Sequence, residues 1–475
     1  MKIRVLKFGG TSVGDVQCFR RAIEIVANAT KDSSVVVVVS AMSGVTNRLI
    51  AAAHQAARGD ESGFRELAKS LEQGHGTAIS ELVRDGAKQQ ELFDQIRNII
   101  AEMSNICHGI TLLKELTPRA MAAVSCVGER LSARIMSAGL REHSVPSESV
   151  EATEVVITDT EYNQAEPLMD YVRERAAERL VPLLRQGVTP IVTGFMGASA
   201  DGAITTLGRG GSDYSATILG AALGADEIII WTDVDGVLTA DPRLVKEARL
   251  LSEISYNEAA ELAYFGAKVL HPKTLRPVAE AGIPVWIRNS FAPEKGGTCI
   301  TRTGRSTKAG VRGITAITNV SLITVGGRGI VGAVGTAAKT FAAVAEARAN
   351  VLLISQASSE NDICLIVDSA DAERTATHLR AKFASDMLHH DVEHITVKSD
   401  VSIVAVVGEK MRGTTGIAGR TFSSLGRKEI NIIAIAQGSS EYNVSFVVEA
   451  DAMRDAVNAV HEEFELHLPA AGLQD

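Results

Sequence analysis

The sequence predicts an α/β protein: one domain on a mostly parallel sheet, followed by a tandem pair of βαββαβ units. Three observations carry this. Ser34–Val39, SVVVVV, is an all-apolar run of the kind buried on both faces of a parallel sheet. Strand-like runs alternate with helical patterns up to about Thr303. Beyond that point residues 335–367 recur at 416–448. Phe341 and Phe422, Asn350 and Asn431, and Gln356 and Gln437 each lie 81 positions apart.

A chain of 475 residues, 45% apolar and 22% charged, has room for two or three domains and a large core. A net charge of −9 argues against general affinity for nucleic acid or anionic membranes. The N-terminus enters a strand directly, without the apolar core and cleavage site of a signal peptide. Val35–Val39 is too short to span a bilayer. Cys18, Cys107, Cys126, Cys299 and Cys364 are scattered without a CxxC pair, as buried thiols in a reducing compartment would be. A cytoplasmic protein is expected.

The first element is Val5–Gly14, VLKFGGTSVG. Its apolar start reads as a buried strand that delivers Lys7, then Gly9 and Gly10, into a turn before a helix from Val16 to Asn28. Glycines let backbone N–H groups approach an anion, and Lys7 adds a point charge. The strand Ser34–Val39 exits into Ser40–Asn47, a small-polar loop before a helix at Arg48–Ala57. Ligands of open parallel sheets sit beyond the carboxyl ends of strands, which draws attention to Ser40, Thr46 and Asn47. Residues from about 60 to 116 read as a polar helical insertion. Thr117–Glu142 holds a helix in which Glu129 sits among Ser125, Gly128, Ser132 and Ala133. Such a carboxylate is either paired with a ligand amine or exposed on the outer face.

A strand ending at Thr193 leads to Thr205–Thr217, TTLGRGGSDYSAT. Glycines around Arg209, with Ser212 and Asp213 opening a helix at Tyr214–Leu223, form a second anion site with an arginine fork. The strand Glu227–Thr232 exits through Asp233 and Asp235, whose carboxylates suit a ribose, a base edge, a metal or simple turn chemistry. Ser255–His271 reads as one amphipathic helix carrying Lys268, with His271 at its end, and Ile283–Asn289 as a further strand. Each repeat copy then reads strand (Ser321–Val325; Val401–Val407), glycine turn, helix, strand, loop, strand, helix.

Two motifs are decoys. Gly327–Gly332 fits GxGxxG, yet the strand that follows ends in Ser355-Gln356 where a dinucleotide site needs an acid. The repeat accounts for those glycines as turns. His389, His390 and His394 lie in a charged connector and read as solvated.

Lys7–Ser12, Ser40–Asn47, Gly128-Glu129, Gly208–Asp213, Trp231–Gly236 and Phe265–Pro272 together resemble the aspartate kinases in order and spacing. The tandem repeat resembles the paired ACT domains of that family. The resemblance implies an amino-acid kinase three-layer α/β/α sandwich over residues 1–303, then two ferredoxin-like ACT domains at 304–390 and 391–475. It implies a monofunctional enzyme, since no homoserine dehydrogenase segment follows. The reaction implied is ATP plus L-aspartate giving 4-phospho-L-aspartate and ADP, with Mg²⁺ carried by ATP and no direct metal ligand. On this resemblance Lys7 and Asp213 are catalytic. Ser40, Thr46, Glu129, Arg209 and Ser212 are substrate-binding, with Glu129 on the α-ammonium and Arg209 on a carboxylate. Lys7, Gly9, Gly10, Thr232, Asp233, Leu238, Arg243 and Lys268 are nucleotide-binding, Leu238 standing where some members have tyrosine. Asn350, Gln356, Asn431 and Gln437 are the implied effector positions. Threonine is the expected effector and lysine the alternative. Pairing through the ACT region implies a homodimer or a dimer of dimers.

Overall fold

The computed structural model describes residues 1–266, 270–304, 310–328, 335–356 and 362–468. It divides into two compact units, one of 1–237, 252–256 and 269–304, the other of 238–251, 257–268 and 305–475.

The first unit is built on an eight-stranded sheet in the order Ser147–Val150, Thr189–Thr193, Ser34–Val39, Ile3–Phe8, Glu227–Thr232, Val285–Asn289, Thr298–Thr301, Glu253–Ser255. The first six strands run parallel. Five residues of SVVVVV are fully enclosed because both sheet faces are covered. Val16–Ala29 and Val127–Glu142 pack on one face, Met169–Arg185, Gly211–Leu223 and Pro272–Ala281 on the other. The insertion forms two helices, Ser62–Leu82 and Gly86–Leu113, whose apolar sides (Leu67, Leu71, Ile96, Met103) merge with the core of the first face. Ser147–Val150 and a small hairpin, Met196–Ser199 with Ile204–Thr206, carry too few apolar residues to stand out in the sequence.

Several boundaries differ from the sequence reading. Gly44, at φ 76°, starts the helix at Val45 rather than Arg48, so Thr46 and Asn47 lie in its first turn. Residues 117–142 form two helices, Pro118–Ser125 and Val127–Glu142. Ser255–His271 is not one helix. Ser255 ends a strand, the helix is Tyr256–Tyr264, and Gly266 turns away at φ 107°. A side chain at Gly266 would meet the Ala316 carbonyl at 2.7 Å, so only glycine suits this left-handed position. His271 caps the start of Pro272–Ala281, accepting from the Lys273 N–H, rather than ending a helix.

In the second unit, six antiparallel strands make one sheet in the order Val351–Gln356, Asp362–Asp368, Gly313–Gly326, His394–Val407, Asn443–Glu449, Ala434–Ala436. The two long central strands serve both repeat copies. Val320–Gly326 and the start of His394–Val407 complete the first copy, with its core of Ile323, Leu365 and Leu379. Val401–Val407 opens the second copy, but the fourth strand of that copy comes from upstream. Gly313–Ile317 pairs with Ile403–Val407, and Ile314 joins a core with Val404, Phe446 and Val457. The ferredoxin-like strand order is thus complete twice, with one exchanged edge. Leu238–Leu251 also folds with this unit: Ala240 and Val245 join the same core, and the Leu244 carbonyl accepts from Asn458.

Candidate active site

The site forms at the carboxyl ends of the parallel strands in the first unit. Backbone bonds close that edge just past each strand: Ser40 N–H donates to Phe8 (3.1 Å), Gly9 N–H to Trp231 (3.1 Å), and Gly194 N–H to Val39 (2.9 Å). Ser12 is part of the same seam, its hydroxyl sharing a 2.8 Å bond with Ser290. The exit loops are therefore held by the sheet itself.

Lys7, the penultimate residue of the first strand, is buried, and its ammonium lies 2.5 Å from Asp213 Oδ1. A side chain on Gly9 would stand 3.3 Å from Lys7 Nζ, so the glycine keeps the ammonium accessible. This corrects one expectation. The Gly9 N–H is spent on Trp231 and is not an anion donor, so Gly9 contributes space. Gly10 begins a one-turn helix, Gly10–Val13, where helix geometry offers its N–H no partner.

Asp213 lies in the first turn of Gly211–Leu223, which begins earlier than the sequence suggested. The turn ahead of it depends on Gly208 and Gly210, both left-handed at φ 78° and 68°. No side chain caps this helix, so Ser212 and Asp213 present first-turn N–H groups and the positive end of a macrodipole. Ser212 packs on Gly194, where an added Cβ would come within 2.8 Å of it. Arg209 is exposed and pairs with no carboxylate among the described residues.

Glu129 is only 3% exposed, which resolves the two readings of this carboxylate in favour of burial. Gly128 makes that possible, since a Cβ there would strike the Ala41 Cβ at 2.5 Å. The helix start thereby presses against the Ser40–Gly44 loop. Desolvation pushes the Glu129 carboxyl up to about 8, opposed by backbone N–H groups, Ala41's among them, and by the charge of Lys7. Its Oε2 has no hydrogen-bond partner, as a carboxylate built to meet a ligand cation would have. Ser40 opens that loop and Thr46 lies in the first turn of the helix behind it, both partly exposed.

The remaining predicted positions belong to both units. Thr232 and the exposed Asp233 end their strand in the first unit, the threonine hydroxyl donating to Asp233 (3.2 Å). Asp235 accepts from Asn289 (2.6 Å) and Lys295 (2.7 Å), both distant in sequence, so its carboxylate ties the strand exit to a later part of the chain. Leu238 and Arg243 fold with the second unit, Arg243 held by Asp241 at 2.6 Å. Lys268 lies outside the described residues. Asn350, Gln356, Asn431 and Gln437 are exposed. The edge strands that carry Gln356 and precede Gln437 meet, the Ser355 hydroxyl donating to the Ile435 carbonyl (3.1 Å). A Ser-Ser-Glu triplet follows each glutamine: Ser358–Glu360 lies outside the described residues, and in Ser439–Glu441 the Glu441 carboxylate accepts from the Gly413 N–H (2.7 Å). Most of Gly327–Gly332 is likewise outside them. Among the described residues no three His, Cys, Asp or Glu side chains gather as metal ligands would.

The amino acid kinase family model matches residues 2–289, and an ACT domain model matches 323–383 and 404–464. A bifunctional aspartokinase/homoserine dehydrogenase of Haemophilus influenzae is 36% identical over 467 residues, covering 97% of this chain and 56% of that protein. The chain thus spans little more than half the length of this bifunctional relative. The aspartokinase of Schizosaccharomyces pombe is 32% identical, covering 97% of this chain and 92% of that one. E. coli aspartokinase III, solved with aspartate and ADP in its R-state, superposes with a TM-score of 0.80 at 30% identity, covering 97% and 99%. Its T-state with lysine and aspartate gives the same score at 31% identity, covering 98% and 100%. A parallel sheet with a buried lysine–aspartate pair at a glycine-turned helix start defines the class: the chain belongs to the amino acid kinase family. Within that family it belongs to the aspartokinases fused to tandem ACT domains.

Proposed function

We propose that this chain transfers the γ-phosphoryl group of ATP, carrying its Mg²⁺, to the β-carboxylate of L-aspartate. The observation that carries this is the Lys7–Asp213 pair facing the sealed carboxyl of Glu129 across one sheet edge. A carboxylate is already a nucleophile, so the protein need only bring two anions together in line. Lys7, anchored by Asp213, supplies fixed positive charge to the transferring group, and the uncapped helix start at Ser212 and Asp213 adds N–H donors. Glu129 receives the α-ammonium, and Arg209 a carboxylate of the amino acid. Thr232, Asp233, Arg243 and Lys268 are assigned to the nucleotide.

Regulation belongs to the same proposal. We assign the first unit to catalysis and the second to regulation. The copies expected at 304–390 and 391–475 exchange strands, Gly313–Ile317 completing the second and the start of His394–Val407 the first. Amino-acid binding is assigned to Asn350, Gln356, Asn431 and Gln437. The meeting of the two edge strands supports this, because it sets equivalent amides of both copies at adjoining edges. Exposed Ile354 and Ile435 on those edges support association of a second copy there, giving a dimer or a dimer of dimers. Threonine remains the proposed effector. Lysine is the second reading, favoured by the lysine-bound structure of E. coli aspartokinase III. Five unpaired thiols support a reducing, cytoplasmic compartment.

The test is acyl-phosphate formation trapped with hydroxylamine, from aspartate and from glutamate, each with threonine or lysine. Aspartate-selective signal suppressed by threonine supports both halves, and suppression by lysine alone reassigns the effector. No acyl phosphate from folded protein that still binds an amino acid overturns the kinase assignment in favour of a silent sensor. Gln356→Ala or Gln437→Ala is expected to relieve inhibition while leaving uninhibited turnover unchanged; full inhibition in both variants removes these residues from the effector site.

A further inference from the structure

The turn Gly208–Gly211 positions Arg209 and Asp213, yet it has little to hold it. Two of its residues are left-handed glycines, and the Arg209 side chain has no partner among the described residues. Its hold comes from a strap, residues 159–167, that nothing in the sequence marks as functional. The strap closes on itself: Asp159 N–H donates to the Glu166 carbonyl (3.0 Å), while Asp159 Oδ1 accepts from the N–H groups of Glu161 (3.1 Å) and Glu166 (3.2 Å). It is pinned to the strand that runs into the turn, Ala165 N–H donating to Thr206 (2.9 Å) and Thr206 N–H to Tyr162 (2.7 Å). It also passes over Gly208, where an added Cβ would lie 3.5 Å from the Asn163 carbonyl.

The strap ends in Glu166, whose carboxylate joins two helix starts. Its Oε2 accepts from the Tyr214 hydroxyl at 3.1 Å, and its Oε1 lies 3.1 Å from Lys273 Nζ. That ammonium also sits 5.0 Å from the centre of the Tyr214 ring. Tyr214 is buried and directly follows Asp213, the partner of Lys7. Lys273 is in the first turn of the helix capped by His271, and the His271 Cβ lies 3.0 Å from where a Gly210 side chain would begin. One carboxylate therefore ties the strap to both helix starts that bracket the turn. Burial and the Glu166 charge hold the Tyr214 phenol above its ordinary value, so it remains a donor.

We propose that Glu166, Tyr214 and Lys273 form a positioning clamp that fixes the Arg209 turn and thereby sets affinity for the amino-acid substrate. This deepens the kinase reading and rests on it. None of the three is assigned contact with substrate; they act through Arg209 and Asp213.

The test uses the full chain with Glu166→Gln, Lys273→Met, Lys273→Arg and Tyr214→Phe. Glu166→Gln and Lys273→Met are expected to raise KM for aspartate about 10- to 100-fold while KM for ATP stays within about two-fold. Lys273→Arg is expected to restore much of the loss, and the Glu166→Gln/Lys273→Met double variant to be no worse than the stronger single. A parallel readout is trypsin cleavage after Arg209, which should accelerate in the clamp variants at unchanged melting temperature. Unshifted aspartate KM in all four variants, or equal rises for aspartate and ATP, overturns the clamp. Wild-type protein that makes no acyl phosphate overturns the kinase reading instead, and the Arg209 cleavage rates then decide the clamp by themselves. Tyr214→Phe removes a single hydroxyl and covers the case in which a larger change prevents folding.

Discussion

A carboxyl group sealed under the Ala41 loop ionises only near pH 8, so the charge that is proposed to receive an ammonium is absent below it. KM for aspartate is therefore expected to fall as pH rises toward about 8 and to level off above, and Glu129→Gln to lose this dependence along with affinity. Stability runs the other way. The folded-state value lies above the ordinary carboxyl value of 4.5, so the protonated group's contribution is complete below about that pH and is lost as pH rises through 8. At pH 8.5 the ligand-free Glu129→Gln protein is thus expected to melt roughly 2–4 °C above wild type. A lower melting temperature would show that the backbone N–H groups and Lys7 outweigh the cost of burying the charge. Lys7 carries a simpler expectation. Lys7→Ala should cut kcat about 10²- to 10³-fold with KM for aspartate little changed, as loss of a charge proposed to act on the transferring group requires. The steady-state rate with trapped acyl phosphate measures it.

Elements were legible where they are long and strongly patterned. The strands Ser34–Val39 and Glu227–Thr232 matched their apolar runs because both faces are covered. Helix ends were less legible because local backbone conformation sets them: the helix Tyr256–Tyr264 stops just before Gly266, which turns at φ 107° where the Ala316 carbonyl leaves no room for a side chain. The site divided in the same way. The proposed site residues Lys7, Glu129, Arg209 and Asp213 stand out as charges beside glycines, whereas Glu166 of the proposed clamp lies in a strap with no periodicity at all. The Gly9 N–H was assigned to an anion because its competitor, the Trp231 carbonyl, comes from a strand some two hundred residues later. Gly128 is where element packing meets the site. Gly128→Ala would force a methyl group to 2.5 Å from Ala41, with an expected cost of about 1–3 kcal/mol. Urea unfolding measures that cost, and a raised aspartate KM should accompany it as the loop shifts off Glu129.

At the scale of the whole molecule, the repeat shows what a one-dimensional reading misses. Two copies offset by a constant interval suggest two consecutive blocks, yet Gly313–Ile317 completes the second copy from upstream of the first. The 81-residue interval records the shared pattern and carries no mark of the exchange, because the short run Ile314-Thr315-Ala316-Ile317 suits either copy. Hydrogen exchange checks the exchange directly. Amides of 313–317 are expected to open together with those of Val401–Val407 and Asn443–Glu449, as one cooperative piece. Earlier exchange at 313–317 would show the strand to be loosely attached.

The exchanged strand also imposes an order of events during synthesis. Thr315 leaves the ribosome ninety residues before Ala405, the residue it faces in the sheet. At cellular elongation rates that interval lasts roughly 5–20 s, longer than hairpins need to form. For that time Ile314 and Ile317 have no native place to go, while the first copy already has most of its own strands. Slow codons or a chaperone acting within this window would change the yield of the finished protein without altering a single contact in it.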